Sequence, residues 1–428
     1  MDRREFLKRS VLSASALALA PSVLGQTAPP KLVLCAPLTH SDWMLKPGIQ
    51  WGPQGVKHML DACKAAGWSE VYWRVLDGGR ADYPSKVVRP LSDWDEDNFW
   101  APQSEEDRKI VAQYNMDPGP ERKAAMMAIF RKMDYGKFDS LGAAIDYGHQ
   151  IGLKIQAWVS INEDDHGWGI RSDFSREHPE FRWKRRDGRM FKSQMSFSFP
   201  EVRQYKLAIL RELLEKYKID GLFIDWIRTG DIRDNPQTDP KGVADSGYEE
   251  PNVRAFADRY KQDPHEVAND DERWVRVRAQ PQTLFMREAR KLVKESGKKV
   301  PMNVMVGHPW HYRGMGDKID GNLKGLLLDV KTWAKEGLID AAVAAGYYRD
   351  GGNAEMAYKA LKDETEGKVD VWTYAWVPRS VGEVQETLAV ADRVGAKQIL
   401  FWEADYIDDR GAAAKEIGAA LRARSQLG

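Results

Sequence analysis

Cysteine is scarce: Cys35 and Cys63 are the only two in 428 residues. Two thiols do not make a disulfide framework, so the fold must rest on its core. An excess of either charge is missing too. The 64 basic and 64 acidic side chains cancel, which removes the electrostatic case for a nucleic-acid or membrane-surface partner. The apolar run near the N-terminus, Val11 to Ala20, is shorter than the roughly 20 residues a spanning helix needs, and Ser13 and Ser15 soften it. No glycine-rich phosphate loop follows any strand-like segment. Asp77-Gly78-Gly79-Arg80 lacks both the spacing and the helix start, so no cofactor is implied. Metal ligation has little support. A proline inside His308-Pro309-Trp310-His311 keeps its histidines off one helical face, and Asn162–His166 lacks the glycine and terminal glutamate of an EF-hand loop. No Ser-His-Asp or Cys-His grouping is legible. What is abundant is tryptophan, with 16 residues, several at the ends of strand-like runs where flat rings could stack on sugar faces.

The N-terminus reads as an address. Arg3-Arg4-Glu5-Phe6-Leu7-Lys8 before a weak apolar run looks like a twin-arginine export signal. Residues 1–28 are therefore expected to be a signal peptide and lead-in, with cleavage near Gly25 or Ala28, and residues 29–428 a single domain acting in the periplasm or outside the cell. Twin-arginine cargo folds before export in a reducing cytoplasm, which suits two buried free thiols.

From end to end, short β-rich runs alternate with amphipathic stretches, the pattern of repeated βα units. Eight strands are expected, at Leu32–Ala36, Glu70–Val75, Lys154–Val159, Gly221–Trp226, Pro301–Val306, Ala341–Ala345, Val369–Ala375 and Gln398–Glu403. Helices are expected after them, at Gly55–Ala66, Ser140–Ile151, Val202–Lys216, Trp274–Ser296, Leu323–Glu336, Ala354–Glu364, Val381–Val394 and Ala412–Arg424. That count argues for an α/β protein of the (β/α)8 TIM-barrel class rather than an open doubly wound sheet. Extra length follows strands two, three and four, on the face where barrels place their active sites, with short helices expected at Glu121–Met133 and Pro251–Tyr260.

Alternation along each strand selects candidates for the lumen and the mouth. Asp225 ends the fourth strand on the same face as Phe223, and a charge at the tip of a core strand is costly unless something uses or pairs it. Glu403 holds the corresponding place on the eighth strand, and Glu163 lies just beyond the third. Carboxyl groups on separate strand tips are what glycosidic-bond cleavage needs, one to protonate the departing oxygen and one to attack or stabilise the anomeric carbon or to activate water. Asp225 with either Glu403 or Glu163 is the candidate catalytic pair. Arg74, Trp158, Asn162, Trp226, Arg228, Asn303, His308, Tyr374, Trp376 and Trp402 are the candidate substrate contacts. An inactive carbohydrate-binding barrel would show the same aromatic rim without turnover.

Three blocks carry a family likeness. The first joins Tyr72-Trp73-Arg74 to Ala81-Asp82-Tyr83-Pro84-Ser85. The second runs from His178-Pro179-Glu180-Phe181 through Arg186-Asp187-Gly188 and Pro200-Glu201-Val202-Arg203 to the segment Asp220–Arg228. The third holds Gly247-Tyr248-Glu249-Glu250, Phe256, Asp263-Pro264, Trp274 and Arg278. In this order they resemble the glycosyl hydrolase-like family 10 proteins. The resemblance implies a (β/α)8 barrel acting on glycosidic bonds, in some members those of bacterial cell-wall glycan, and makes Asp225 the strand-four acid of the site. Thr229-Gly230 departs from the Tyr-Pro that commonly follows the strand-four arginine.

Overall fold

In the computed structural model, which describes residues 30–44, 46, 48–93, 120–166, 170–225, 227, 245–307, 321–345 and 351–426, the β-rich runs pair into a ring. Its strands are β1 (Val33–Leu38), β2 (Glu70–Asp77), β3 (Lys154–Ser160), β4 (Gly221–Asp225), β5 (Met302–Gly307), β6 (Ala341–Ala345), β7 (Asp370–Trp376) and β8 (Gln398–Trp402). Each pairs in parallel with the next, and β8 pairs back onto β1 with Cys35 beside Leu400, so the eight-stranded barrel is closed. Between or after the strands run α1 (Pro53–Ala66), α2 (Ser140–Gln150), α3 (Pro200–Lys216), α4 (Glu272–Glu295), α5 (Val330–Lys335), α6 (Gly351–Glu364), α7 (Val381–Val394) and α8 (Ala413–Arg422). The residues from Lys31 onward make one compact unit.

The period-two alternation sorts the strand side chains between wall and lumen. Wall residues such as Val71, Ile155 and Ile224 are buried in the same core as Val56, Met59 and Leu60 of α1. Inside, near the strand starts, Gln156 donates to Glu70 (2.7 Å) and accepts from Asn303 (3.1 Å). One layer higher, Tyr72 stacks on Phe223 at 4.5 Å and on Trp372 at 6.0 Å. These rings plug the barrel, so the next inward residues, Arg74, Trp158, Asp225, Tyr374 and Trp402, stand on an apolar floor at the C-terminal mouth. Cys35 and Cys63 are both buried and free.

Most element ends fall within two residues of expectation, but Leu323–Glu336 is two helices, Gly321–Leu326 and α5, rather than one. The break has a local cause. Leu327 takes a left-handed conformation (φ 57°), and the Asp329 carboxylate then caps α5, accepting from the Thr332 amide (3.0 Å) and hydroxyl (2.8 Å). The segments after β2, β3 and β4 carry structure of their own: a helix at Pro120–Met133, a hairpin of Arg182–Lys184 with Met190–Met195, and a helix at Glu250–Tyr260. The first packs on a satellite core of Leu91, Met127, Phe130, Met133 and Tyr135.

At the opposite face the segment leading into β1 meets the segment that follows α8. Leu32 N–H donates to the Arg424 carbonyl (2.7 Å), and Gln426 N–H donates back to Leu32 (2.9 Å). The twin-arginine segment lies outside the described residues, as do Trp226, Arg228 and His308. Among the described residues, no helix is long and apolar enough to cross a membrane.

Candidate active site

Trp158 is the hub of the mouth. Its indole N–H donates to Asp225 Oδ2 at 3.1 Å, the Arg74 guanidinium lies 4.7 Å from its ring centre, and Trp402 meets it edge-on at 5.5 Å. The β3–β4 register sets Ser160 beside Asp225, and the Ile161 amide donates to the Asp225 carbonyl (2.9 Å), so the backbone that carries this carboxylate is fixed. Asp225 is fully buried, where its interactions are little screened.

Arg74 sits at a register shift in β2, a bulge that re-aims its side chain. Its Nη2 binds Glu163 Oε2 (2.6 Å), Asp77 Oδ1 (3.2 Å) and Ser160 Oγ (3.3 Å). Burial alone would lower the pKa of this guanidinium, but Asp77, Glu163, Asp82 and Glu403 more than offset that and hold it charged. Glu163 is thus committed to Arg74.

Glu403 follows β8 directly and opens the short turn Ala404–Arg410. Burial pushes its carboxyl well above the usual range, Asp42, Asp405 and Asp77 push the same way, and Arg74 opposes them. Asp42, on the single-turn helix His40–Met44, is raised to about 7 by burial and by Asp405. Asp82 is also held high, by burial and then by Asp77. His40 is pushed well below the usual histidine range by burial and then by Arg74. Its Nδ1 lies 3.0 Å from the Tyr135 hydroxyl and its ring 4.2 Å from that of Trp73.

The other expected contacts fall in different places. Asn162, next to Glu163 in the chain, is buried with neither its amide nitrogen nor its oxygen bonded among the described residues, an arrangement that a ligand hydroxyl would satisfy. Tyr374 packs 6.2 Å from Trp402. Trp376 packs 5.8 Å from Tyr406, and both line a cavity of about 360 Å³ between β7, α7 and the 404–410 turn that does not include Asp225. Asn303 lies deeper, held by Gln156 below the aromatic plug. Asp164, in the acidic loop after β3, binds Lys206 at 2.6 Å with both side chains fully buried, which makes it a structural tie to α3. No three ligand-type side chains among the described residues are placed to hold a metal ion.

Sequence reading missed Asp42, Asp77, Asp82 and His40. They sit on a single-turn helix, at a strand end or in a bend, where strand alternation gives no phase. Asp42 could have been found by asking which acids follow each strand within a few residues, as the rim position requires.

In sequence, the model of the family described as glycosyl hydrolase-like 10 matches residues 112–382, and no curated protein matches the chain. Similar solved structures include the catalytic domain of β-amylase from Paenibacillus polymyxa, at 10% identity and TM-score 0.56, covering 92% of this chain and 98% of that one. The PgaB (BpsB) glycoside hydrolase domain from Bordetella bronchiseptica matches at 11% identity and TM-score 0.54, with 92% and 99% covered. Alpha-L-fucosidase isoenzyme 2 from Paenibacillus thiaminolyticus matches at 12% and 0.55, covering 92% of this chain, which spans only 48% of the fucosidase. At such identities the likeness is one of fold, a glycoside hydrolase-like TIM barrel. The family model takes in well over half of the 428 residues, and the chain belongs to the glycosyl hydrolase-like 10 family.

Proposed function

We propose that the protein is an exported glycoside hydrolase that cleaves glycosidic bonds of a polysaccharide or glycoconjugate, with Glu403 and Asp225 as its carboxyl pair. The observation that carries this reading is that two acids at one barrel mouth sit in unlike environments. Burial and acidic neighbours push the Glu403 carboxyl well above the usual carboxylate range, whereas Asp225 receives the Trp158 indole N–H. Unlike environments of this kind divide acid from base or nucleophile in glycoside hydrolysis. Glu403 gives its proton to the glycosidic oxygen as the bond from that oxygen to the anomeric carbon breaks. Asp225 opposes the positive charge that develops at that carbon, either by bonding to it or by taking a proton from the incoming water. Water supplies the hydroxyl of the new reducing end, and its remaining proton restores the acid.

Glu163 serves in this reading as the anchor of Arg74. Trp158, Tyr374 and Trp402 offer ring faces or edges to the sugar, Trp376 faces its own cavity beside Tyr406, and Asn162 offers its unbonded amide. Trp226, Arg228 and His308 join them as rim contacts on sequence grounds, and the twin-arginine segment would deliver the enzyme to the periplasm or beyond. The test is release of reducing ends from a panel of polysaccharides and cell-wall glycans. Asp225→Asn and Glu403→Gln should each lower kcat by about 10²–10⁴-fold while glycan binding persists. If the wild-type protein releases nothing from any substrate yet binds glycan, it is a binding barrel.

A further inference from the structure

The strongest unassigned feature is the single-turn helix between β1 and α1. β1 ends at Leu38 and the helix starts at His40, on the rim that carries Glu403. Cys35 is in register with Leu400, so extending the pairing by three residues brings Leu38 level with Glu403. The helix is pinned to the turn beyond Glu403. Trp43 Nε1 donates to Asp408 Oδ2 (2.6 Å), and Lys46 Nζ donates to the Asp405 carbonyl (2.6 Å) and pairs with Asp409 (2.7 Å). At the helix start, buried His40 is wedged among Trp51, Trp73 and Tyr135. Asp42 lies between these fixed points and is half-buried, like Glu403.

We propose that Asp42 is a positioning residue that acts through Glu403: its carboxyl, carried across the β1–β8 seam, shares one proton with Glu403 and keeps that proton on Glu403 until a leaving oxygen takes it. The inference rests on Glu403 being the proton donor. Of the charges that face Glu403, Asp42 raises its pKa most, Asp405 and Asp77 add to this, and Arg74 opposes it. Asp42 in turn faces Asp405 and Asp77, with Arg74 and Lys46 of opposite sign. Asp405 is partly neutralised by Lys46 at 3.3 Å, whereas Asp42 forms no ion pair among the described residues. In a desolvated rim where one acid raises the proton affinity of the next, the two resist ionising together, and the proton then belongs to the pair.

The experiment is a titration of the glutamate carboxyl carbons by ¹³C NMR on the full chain, with Glu403→Gln identifying the resonance. In Asp42→Asn the Glu403 midpoint should fall by about one pH unit or more, and in Asp42→Glu it should stay raised. Asp42→Ser should repeat the asparagine result should that variant fold poorly, and Asp363→Asn, exposed on α6, should leave the midpoint where it was. With a cleavable glycan, the alkaline limb of the kcat profile should move down with the midpoint in Asp42→Asn. A Glu403 midpoint unchanged in both the asparagine and serine variants would overturn the proposal. The NMR midpoint is read without turnover, so it tests Asp42 even where no substrate is cleaved.

Discussion

Trp158 combines three duties in one ring: hydrogen-bond donor to Asp225, platform for Arg74, and edge contact for Trp402. Trp158→Phe separates them, since phenylalanine keeps an apolar face for Arg74 but has no N–H. A hydrogen bond to a charged acceptor is worth about 1.5–3 kcal/mol, so kcat should fall tenfold or more in steady-state assays. Urea unfolding should change much less, because most of the ring's packing survives. Asp225 and Arg74 could be read from sequence because both lie on strands, where period two assigns a face. Asp42 and Asp82 could not, because one stands on a single-turn helix and the other in a bend, and the direction of each depends on what packs beneath it. Trp376 shows the limit from the other side. Its face on β7 was legible, but its packing on Tyr406 beside a separate cavity depends on a turn that brings that tyrosine back against the strand.

At the scale of elements, the strands were legible because both faces of a parallel barrel are buried, which leaves short, nearly continuous apolar runs. The helix expected at Leu323–Glu336 was misread for a related reason. Apolar spacing continues through Leu326-Leu327-Leu328, and nothing in that spacing announces the positive φ at Leu327 or the restart at the Asp329 cap. The loop after β3 depends on a tie of a different kind. Lys206 of α3 reaches Asp164 with no exposed surface on either side chain, while burial lowers the lysine pKa and Asp164 works to raise it. Gly79 presses on the same loop, where an added Cβ would come within 2.3 Å of Ser172 Cβ. Removing one partner of a buried pair leaves an uncompensated charge, so Lys206→Ala should cost about 3–5 kcal/mol in chemical denaturation. Replacing both partners with apolar residues of similar size should recover much of that loss.

Over the whole molecule, the rim acids set a pH dependence of stability. Asp42, Asp82 and Glu403 bind protons more tightly in the folded than in the unfolded chain. Their contribution is fully present below the ordinary carboxylate range and is lost as pH rises through the raised values, between 3.8 and about 7 for Asp42. His40, pushed down, works the other way, and its contribution is lost as pH falls below the ordinary histidine range. Thermal midpoints should therefore decline from pH 5 to pH 8, and Asp42→Asn combined with Glu403→Gln should flatten that decline in scanning calorimetry. On the opposite face, Leu32 and Gln426 hold each other by backbone hydrogen bonds, and the Ser425 hydroxyl donates to the Gly67 carbonyl at 2.6 Å. The polypeptide of the barrel is thus nearly a closed loop in space, and its starting point is arbitrary as far as the ring of strands is concerned. Joining Gln426 to Leu32 and opening the chain instead at Gly297, between α4 and β5 on that same face, would rearrange the gene while leaving every carboxyl group of the mouth on its own element.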